Sequence, residues 1–428
     1  MSILAAIVVL LGLLAVGIPV AISLLAAGSV GLIIFGGGQL FLGVLGAGPG
    51  SALVSYELLT VPMFLFMAEL MVASGISHTL FDAIAVWTRR MRGGLGAATA
   101  ITGAAFGAIS GSSAAAAATL SSSSVPAMLR DGYDRRFATG IVAVSGALAM
   151  LIPPSIAIIF YGLLSGESIA ELLIAGVVPG VLVTLTIAIT IRVMISINPT
   201  LAPVGSKTSW IEKAKSLKVA GPFVFLFGMV TGLIYTGIAT PVEASAIGAL
   251  GAFLLTLKSG RLNWATLKRA LVRTCATSAM IGLIIACASV FGTFLTITGA
   301  TQELVMLASQ SGWNPYVILM FIVILYLILG CFLDQISILI LTVPVTLPLI
   351  VSLGFDPIWF GIIVILLAEI GIVTPPLGLN VFIVAKMTQT PVEDVFRGVG
   401  PHVVALILLT VLMIAFPSLI LWLPDQMN

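Results

Sequence analysis

Apolar runs long enough to cross a lipid bilayer recur from one end of this 428-residue chain to the other. About 20 apolar residues in a helix span a membrane, whereas a transmembrane β-barrel needs shorter, alternating segments. Only 8% of the residues are charged, against about 25% in soluble domains. We therefore predict an all-α polytopic membrane protein. The formal net charge of +2 offers no basic surface for nucleic acid.

The lysines and arginines fall into a few clusters, and these clusters indicate the topology. Positive residues in short loops stay on the cytoplasmic side of a membrane. Every cluster lies in the cytoplasm if two stretches, 93–129 and 315–352, enter the membrane and return on the same side. We predict these stretches to be re-entrant helical hairpins with polar tips at 110–113 and 333–335. The predicted spanning runs are 3–17, 20–37, 58–76, 137–162, 168–192, 219–237, 241–257, 274–297, 357–385 and 400–424.

One constant offset in residue number aligns prolines and glycines along the chain, which indicates an internal repeat. This repeat offset places Gly132 on Gly354 and the pair Pro153-Pro154 on the pair Pro375-Pro376. Five spans in the first half are an odd number, so the second repeat should enter from the opposite face. Inverted repeats with broken helices are typical of secondary transporters. We assign 1–192 to the first repeat, 193–218 to a basic cytoplasmic linker with an amphipathic helix, and 219–428 to the second repeat.

The two proline pairs fall inside the spans 137–162 and 357–385. Proline removes a backbone hydrogen bond and clashes with the preceding turn, so each pair should unwind its span midway. The freed carbonyls suit Na⁺, and half-helix N-termini suit carboxylates. We therefore pair each hairpin tip with the break in its own repeat, and we place the substrate between the tips. If the prolines only kinked packed helices, a polar tip would have no reason to precede each pair.

The residues of these sites follow from that pairing. The predicted cation (Na⁺) ligands are Ser110, Gly111, Ser112, Ser113, Gly146 and Pro153 in the first site, and Asp334, Gln335, Gly371, Thr374, Pro375, Gly378 and Asn380 in the second. The predicted substrate contacts are Ser112, Ser113, Pro154, Pro376 and Asn380. Glu369 is expected to brace the second break, and Glu243 to fix helix packing at the start of the second repeat. No arginine is expected deep in a span to hold a second carboxylate.

Several motifs together resemble the large membrane (M) subunit of TRAP transporters, the tripartite ATP-independent periplasmic family. They are Val61-Pro62-Met63-Phe64, Ala68-Glu69-Leu70-Met71, Ile109-Ser110-Gly111-Ser112-Ser113, Gly132-Tyr133-Asp134, Ile152-Pro153-Pro154-Ser155, Thr240-Pro241-Val242-Glu243-Ala244 and Thr374-Pro375-Pro376-Leu377-Gly378-Leu379-Asn380. The resemblance spans nearly the whole chain, and the last motif is the most specific. The family commonly has an acidic residue soon after the first tip, where this sequence has Ala114 to Ala118. The first site would then rely more on backbone and hydroxyl oxygens.

The resemblance implies an elevator-type transporter of the bacterial inner membrane. It would import a small organic acid, such as a C4-dicarboxylate or a sialic acid, with sodium as the coupling ion and no other cofactor. Its implied partners are a small four-helix membrane subunit and a periplasmic substrate-binding protein. No four-helix segment precedes residue 1, so the small subunit is expected to be a separate chain. Basic loops are expected in the cytoplasm and both termini in the periplasm.

Other functions fit the sequence less well. A self-contained sodium–dicarboxylate carrier, working without a binding protein, is the main alternative because it would share the hairpins and breaks. An intramembrane enzyme is disfavoured, because His78 and His402 lie near run ends and only Asp334 is an aspartate placed deep. A channel would not need paired breaks. An ATP-driven pump is excluded for this chain because it has no phosphate-binding loop.

Overall fold

The computed structural model describes the backbone of residues 1–203, 205 and 208–426, and the side chains of these residues except 76–78, 108–110 and 219. This part of the chain is helical throughout and contains no β-strand, which confirms the predicted all-α class. The α-helices are α1 Ser2–Ala15, α2 Val20–Leu53, α3 Thr60–Ala73, α4 Ile76–Thr88, α5 Gly94–Ser110, α6 Ser113–Arg130, α7 Arg135–Ala147, α8 Ile156–Ser165, α9 Ile169–Ala175, α10 Val177–Ile197, α11 Trp210–Tyr235, α12 Pro241–Lys258, α13 Trp264–Thr298, α14 Ala300–Gln310, α15 Pro315–Phe332, α16 Gln335–Ser352, α17 Pro357–Gly371, α18 Leu379–Thr388, α19 Val392–Ala415 and α20 Ser418–Leu421.

Eight helical segments of the described chain are long and apolar enough to cross a membrane. They include α2, α13 and both arms of the second predicted hairpin, α15 and α16. A ninth candidate is α11, which bends by 50° between Trp210–Lys218 and Ala220–Tyr235. Large apolar side chains such as Leu185 and Phe225 are exposed on the outer faces. Such a surface suits lipid tails, and the chain is a multi-pass membrane protein.

The helices form two bundles that meet along one boundary. In the first bundle, α2 packs on α13 and α3 packs on α12, with α1 and α11 beside them. In the second bundle, α7 packs against α5, α6 and α19, while α17 packs against α15, α16 and α19. The bundles meet where α3 contacts α5 and α8, and where α13 contacts α16. The hairpins and the broken spans therefore belong to one bundle.

The two broken spans are the core of the second bundle. Every residue of 137–147 in α7 and of 358–371 in α17 is buried. Glycines allow neighbouring backbones to touch there: a Cβ added to Gly140 would lie 2.3 Å from the carbonyl carbon of Gly398. Small residues at such contacts are how membrane helices approach closely. The centre of the bundle is thus built from the segments that carry the prolines.

Both spans are interrupted where the prolines predict. The helix α7 ends at Ala147, continues as a short 3₁₀ turn over Leu148–Met150, and resumes as α8 only at Ile156. The helix α17 ends at Gly371, and α18 begins at Leu379. Each interruption leaves several backbone groups outside regular helical hydrogen bonding.

Helix starts recur at the spacing of the sequence repeat. The helices α6 and α16 begin at Ser113 and Gln335, a pair related by the repeat offset that takes Gly132 to Gly354. The helices α7 and α17 begin at Arg135 and Pro357, a pair related by the same offset. The relative orientation of the two repeats, and their boundaries at 192 and 218, stay predictions.

Several helical features differ from the sequence expectation. The helices α4 and α14 were not foreseen, and α2 continues to Leu53 through a break at Gly37, where φ is 78°. The helix α13 begins at Trp264, well before the predicted run at 274, and Asn263 caps it by accepting a hydrogen bond from the N–H of Thr266 at 2.8 Å. Its first turns carry basic side chains. These lower the local hydropathy without preventing helix formation, because long cationic side chains extend along a helix towards water.

Candidate functional site

The first hairpin turns at Gly111 and Ser112, between α5 and α6. Gly111 has a φ of 54°, in the left-handed region that favours glycine. A Cβ at this position would also lie 2.6 Å from Cδ1 of Ile156 at the start of α8. The hydroxyl of Ser112 accepts a hydrogen bond from the N–H of Ala115 at 3.3 Å and caps α6. The tip therefore packs on the half-helix that follows its own break, while the side chain of Ser110 lies outside the described residues.

The first break is held together by one serine. The hydroxyl of Ser155 donates to the carbonyl of Met150 and accepts from the N–H of Ile158 at 3.3 Å, so it joins the two ends of the interruption. Gly146 lies against the arm of the hairpin, since a Cβ there would be 2.9 Å from the backbone nitrogen of Ala117. The sequence pairing of the first tip with the first break therefore corresponds to a direct contact.

The second hairpin turns at Leu333 and Asp334, between α15 and α16. The carboxylate of Asp334 accepts hydrogen bonds from the N–H of Ser337 at 3.1 Å and from its hydroxyl, and so caps α16. Gln335 is 3% exposed, and its Nε2 donates to the carbonyl of Ile365 in α17 at 3.3 Å. Its Oε1 has no hydrogen-bond partner among the described residues. This tip is fixed to the broken span and holds a buried amide oxygen that lacks a donor.

Asn380 lies at the far side of the second break. Its backbone N–H donates to the carbonyl of Ile372 at 3.2 Å, across the interruption. Its side chain is fully buried, and neither Oδ1 nor Nδ2 has a hydrogen-bond partner within the described part of the chain. A buried amide without partners costs free energy, so a water, an ion or a polar ligand would stabilise it.

The second tip contacts the second break through small groups. A Cβ on Gly371 would lie 2.4 Å from the Cα of Gly330, so the ends of α17 and α15 touch. The thiol of Cys331 donates to the carbonyl of Pro375 at 3.3 Å. The hydroxyl of Thr374 donates to the carbonyl of Ile370 at 2.6 Å, within its own helix end. Gly378 has a φ of 53° and starts the helix that follows.

Both hairpin tips line one cavity of about 560 Å³. Its wall includes Gly111, Ser112 and Ser113 of the first tip and Asp334 and Gln335 of the second. Residues of α3 and α13, from the first bundle, form the opposite part of the wall. The fold therefore brings together two polar segments that lie far apart in the sequence, and it does so at the boundary between the bundles.

Only some of the predicted substrate contacts line this cavity. Ser112 and Ser113 line the cavity, whereas Pro154, Pro376 and Asn380 do not. Pro154 and Asn380 are buried, and Pro376 is exposed. The ends of the breaks that do reach it belong to apolar residues, namely Met150, Ile156, Ile372 and Leu379. The ligand assignments stay predictions.

Two charged residues of the cavity were not assigned to the site from sequence. Arg273 of α13 and Glu69 of α3 both line it, with Nη1 of the arginine 3.6 Å from Oε2 of the glutamate. Arg273 belongs to the helix of the candidate span Trp264–Thr298, ahead of the run predicted to start at 274. The expectation that no arginine lies deep in a span stays a prediction. The Asn263 capping residue was the sequence signal that could have moved the helix start to Trp264.

The other acidic residues of the apolar runs have different surroundings. Glu369 is 4% exposed, and neither of its carboxylate oxygens has a hydrogen-bond partner among the described residues. Glu243 forms a capping box with Thr240: its Oε2 accepts from the N–H of Thr240 at 2.8 Å, and its own N–H donates to Oγ1 of Thr240 at 3.3 Å. Glu243 thus stabilises the start of α12. Its expected role in helix packing stays a prediction.

A multi-pass helical protein whose hairpin tips and broken helices converge on one cavity has the architecture of a secondary transporter. The family model described as "Tripartite ATP-independent periplasmic transporter, DctM component" matches residues 7–419. The chain belongs to this family and is the large (M) subunit of a TRAP transporter, a permease subunit and not an enzyme. Large permeases of this kind work with a small membrane subunit and a periplasmic binding protein.

Individual relatives cover most of the chain. The C4-dicarboxylate TRAP transporter large permease protein of Pseudomonas aeruginosa is 32% identical over 375 residues, 87% of each chain. The ectoine/5-hydroxyectoine TRAP transporter large permease protein of Ruegeria pomeroyi is 30% identical over 416 residues, 96% of each chain. The crystal structure of the YdaH transporter of Alcanivorax borkumensis matches with a TM-score of 0.65 at 16% identity and 89% coverage of both chains. This last similarity concerns the fold alone.

Proposed function

We propose that this chain imports a small organic acid by coupling its movement to the entry of Na⁺. The observation that carries the proposal is the single cavity of about 560 Å³ lined by both hairpin tips, each tip packed on or beside a broken helix. Secondary transporters bind ions at unwound carbonyls and anionic substrates at half-helix N-termini. A cavity of this size holds a small organic molecule.

Buried oxygen atoms support sodium at the second break. Asn380 Oδ1 and Gln335 Oε1 are buried and lack donors among the described residues, and the carboxylate of Asp334 lies at the same tip. Hard cations take oxygen ligands of this kind. Thr374 and the carbonyls around Pro375 would complete this site.

At the first break, the ion would be bound by the hydroxyls of Ser112 and Ser113 and by the carbonyls around Gly146 and Pro153. The alanines that follow the first tip make this donor set neutral. These residues would hold the ion, and the bound ion would supply positive charge beside the substrate.

The relatives support a carboxylate as the substrate class. One is a permease for C4-dicarboxylates and another for ectoine and 5-hydroxyectoine, and each of these compounds carries a carboxylate. We propose a C4-dicarboxylate, a sialic acid or a similar organic acid as the substrate of this chain. The half-helix N-terminus of α8 and the serines of the first tip would hold other polar groups of the acid.

An elevator movement would carry the second bundle past the first. A crevice of about 600 Å³ lies on the boundary, where Leu295 of α13 and Val343 of α16 line it together with hydroxyl side chains such as Ser289 and Thr301. Open space between the bundles reduces the contacts that a rigid-body movement would have to break, and so supports the proposed movement.

The proposed setting is the bacterial inner membrane. Basic loops would face the cytoplasm and both termini the periplasm, in line with the clustering of Lys and Arg. A small four-helix subunit would cover part of the first bundle, where α11 and α13 expose Val224, Phe225 and Leu283. A periplasmic binding protein would deliver the substrate.

Reconstitution tests the proposal directly. The chain and its small subunit would be placed in liposomes, and uptake of radiolabelled succinate, N-acetylneuraminate and ectoine would be followed with and without an inward Na⁺ gradient and the binding protein. Uptake that needs both Na⁺ and the binding protein is expected. Uptake that ignores the Na⁺ gradient would contradict the cation sites at the two breaks. Na⁺-driven uptake without the binding protein would indicate a self-contained carrier.

A further inference from the structure

The wall of the cavity that faces the tips carries one ion pair. Arg273 of α13 and Glu69 of α3 approach to 3.6 Å, and their side chains are 60% and 29% exposed. Arg273 is the single cationic side chain among the described residues that line the cavity; the anionic ones are Glu69 and Asp334. Both members of the pair stand on the first bundle, opposite the tips.

This ion pair is weak in its observed geometry. Strong charge-assisted hydrogen bonds join nitrogen and oxygen at about 2.7–2.9 Å, whereas these atoms are 3.6 Å apart. Exposed pairs of this kind contribute little to stability because water screens them. Glu69 therefore occupies the guanidinium without holding it tightly, and another carboxylate can displace it.

The guanidinium also has the chemistry that an organic acid requires. It is planar, always charged, and presents paired N–H donors that match the two oxygens of a carboxylate. Asp334, the other acid of the cavity, accepts hydrogen bonds from Ser337, and the salt bridge recorded for Arg273 is to Glu69. A substrate held at the tips would meet Arg273 across the cavity.

We propose that Arg273 is a substrate-binding residue that receives the carboxylate of the transported acid, and that Glu69 occupies it when substrate is absent. This rests on the proposed function, since it assumes an anionic substrate. Because the arginine belongs to the first bundle and the tips to the second, the contact forms only when the bundles are arranged as in this structure. Arg273 lies near Lys268 and Arg269, at the end of α13 that the positive-inside rule assigns to the cytoplasm. The arginine would thus hold the acid on the cytoplasmic side before release.

Equilibrium binding to the purified complex with its small subunit tests this. The probes are radiolabelled succinate, N-acetylneuraminate and ectoine in Na⁺ buffer, and the acid that the wild type binds is carried forward. Arg273→Gln should weaken its binding about tenfold or more, the usual effect of removing a charged partner. Arg273→Lys should restore part of the affinity. Arg269→Gln, an exposed arginine one turn earlier on the same helix, should leave it unchanged.

Two further measurements separate binding from folding. Glu69→Gln removes the competing carboxylate and should tighten binding of the acid several-fold. Damage to the fold would weaken binding instead. The amide of the same acid should bind wild type and Arg273→Gln alike. Equal affinities of Arg273→Gln and Arg269→Gln for the acid would overturn the role of Arg273 and leave the transport function standing. An absence of Na⁺-dependent binding by the wild type would overturn both.

Discussion

Replacing Asn380 by leucine should stabilise the protein without sodium and remove its response to sodium. The asparagine side chain is fully buried, and its two polar atoms have no hydrogen-bond partner among the described residues. A buried polar group left unsatisfied costs about 1–3 kcal/mol, and an apolar group of similar shape avoids that cost. Asn380→Leu is therefore expected to raise the free energy of unfolding by about that amount in Na⁺-free buffer.

The stabilisation of the wild type by sodium should require Asn380, although the residue destabilises the sodium-free protein. A ligand that binds only the native state stabilises it by about 2.7 kcal/mol at a hundred times its dissociation constant. If Asn380 Oδ1 binds the ion, titration with NaCl against choline chloride should raise the apparent melting temperature of the wild type. The same titration should raise that of Asn380→Leu much less.

Ser124 provides a matched control for this experiment. Its hydroxyl is also buried without a partner within the described part of the chain, but it lies in α6 and in neither predicted site. Ser124→Ala should leave the sodium response intact. The reasoning fails if Asn380→Leu lowers the melting temperature in Na⁺-free buffer, or if it keeps the full sodium-induced rise.

Two other substitutions test the second site by different routes. Gly371→Ala would place a Cβ 2.4 Å from the Cα of Gly330, where ordinary contact begins at 3.4 Å. The resulting shift of about 1 Å should lower the free energy of unfolding by about 1–3 kcal/mol and raise the Na⁺ concentration for half-maximal uptake. The control Gly400→Ala, whose Cβ meets open space, should change neither quantity. Asp334→Asn should keep the cap of α16, because asparagine caps as well as aspartate, yet it should weaken the Na⁺ dependence of uptake by removing a charge. The control is Asp356→Asn, the same change at the cap of α17. Equal Na⁺ titration curves for the two variants would contradict the role of Asp334.

The interruptions of the broken spans were predictable from the sequence because their causes are local. Proline lacks a backbone N–H wherever it stands in a helix, so Pro153 and Pro375 end α7 and α17 within a few residues regardless of their neighbours. The tips were predictable for a similar reason. Gly111 and Asp334 are residues that helix ends favour, and each lies between two apolar runs of hairpin length.

The start of α13 was placed too late because hydropathy was used as a proxy for helix length. Arg273 lowers the apolar score of its window, although arginine is a good helix former. The capping residue Asn263 carried the correct information, and it is a matter of backbone hydrogen bonding rather than of apolar character. This placement matters for the site, since the neglected turns bring Arg273 to the wall of the cavity.

The sequence by itself determined that the chain is a membrane transporter subunit, where its helices break, and which segments are polar tips, because apolar length, proline and glycine act through the backbone of their own segment. Only the tertiary structure decided that the two tips share one cavity, that Asn380 is buried outside it, and that Glu69 and Arg273 face the tips from the other bundle. These facts depend on which helices pack together across the whole length of the chain. A contact between residues far apart in the sequence leaves no periodic mark on either segment, so it appears only when the packing is known.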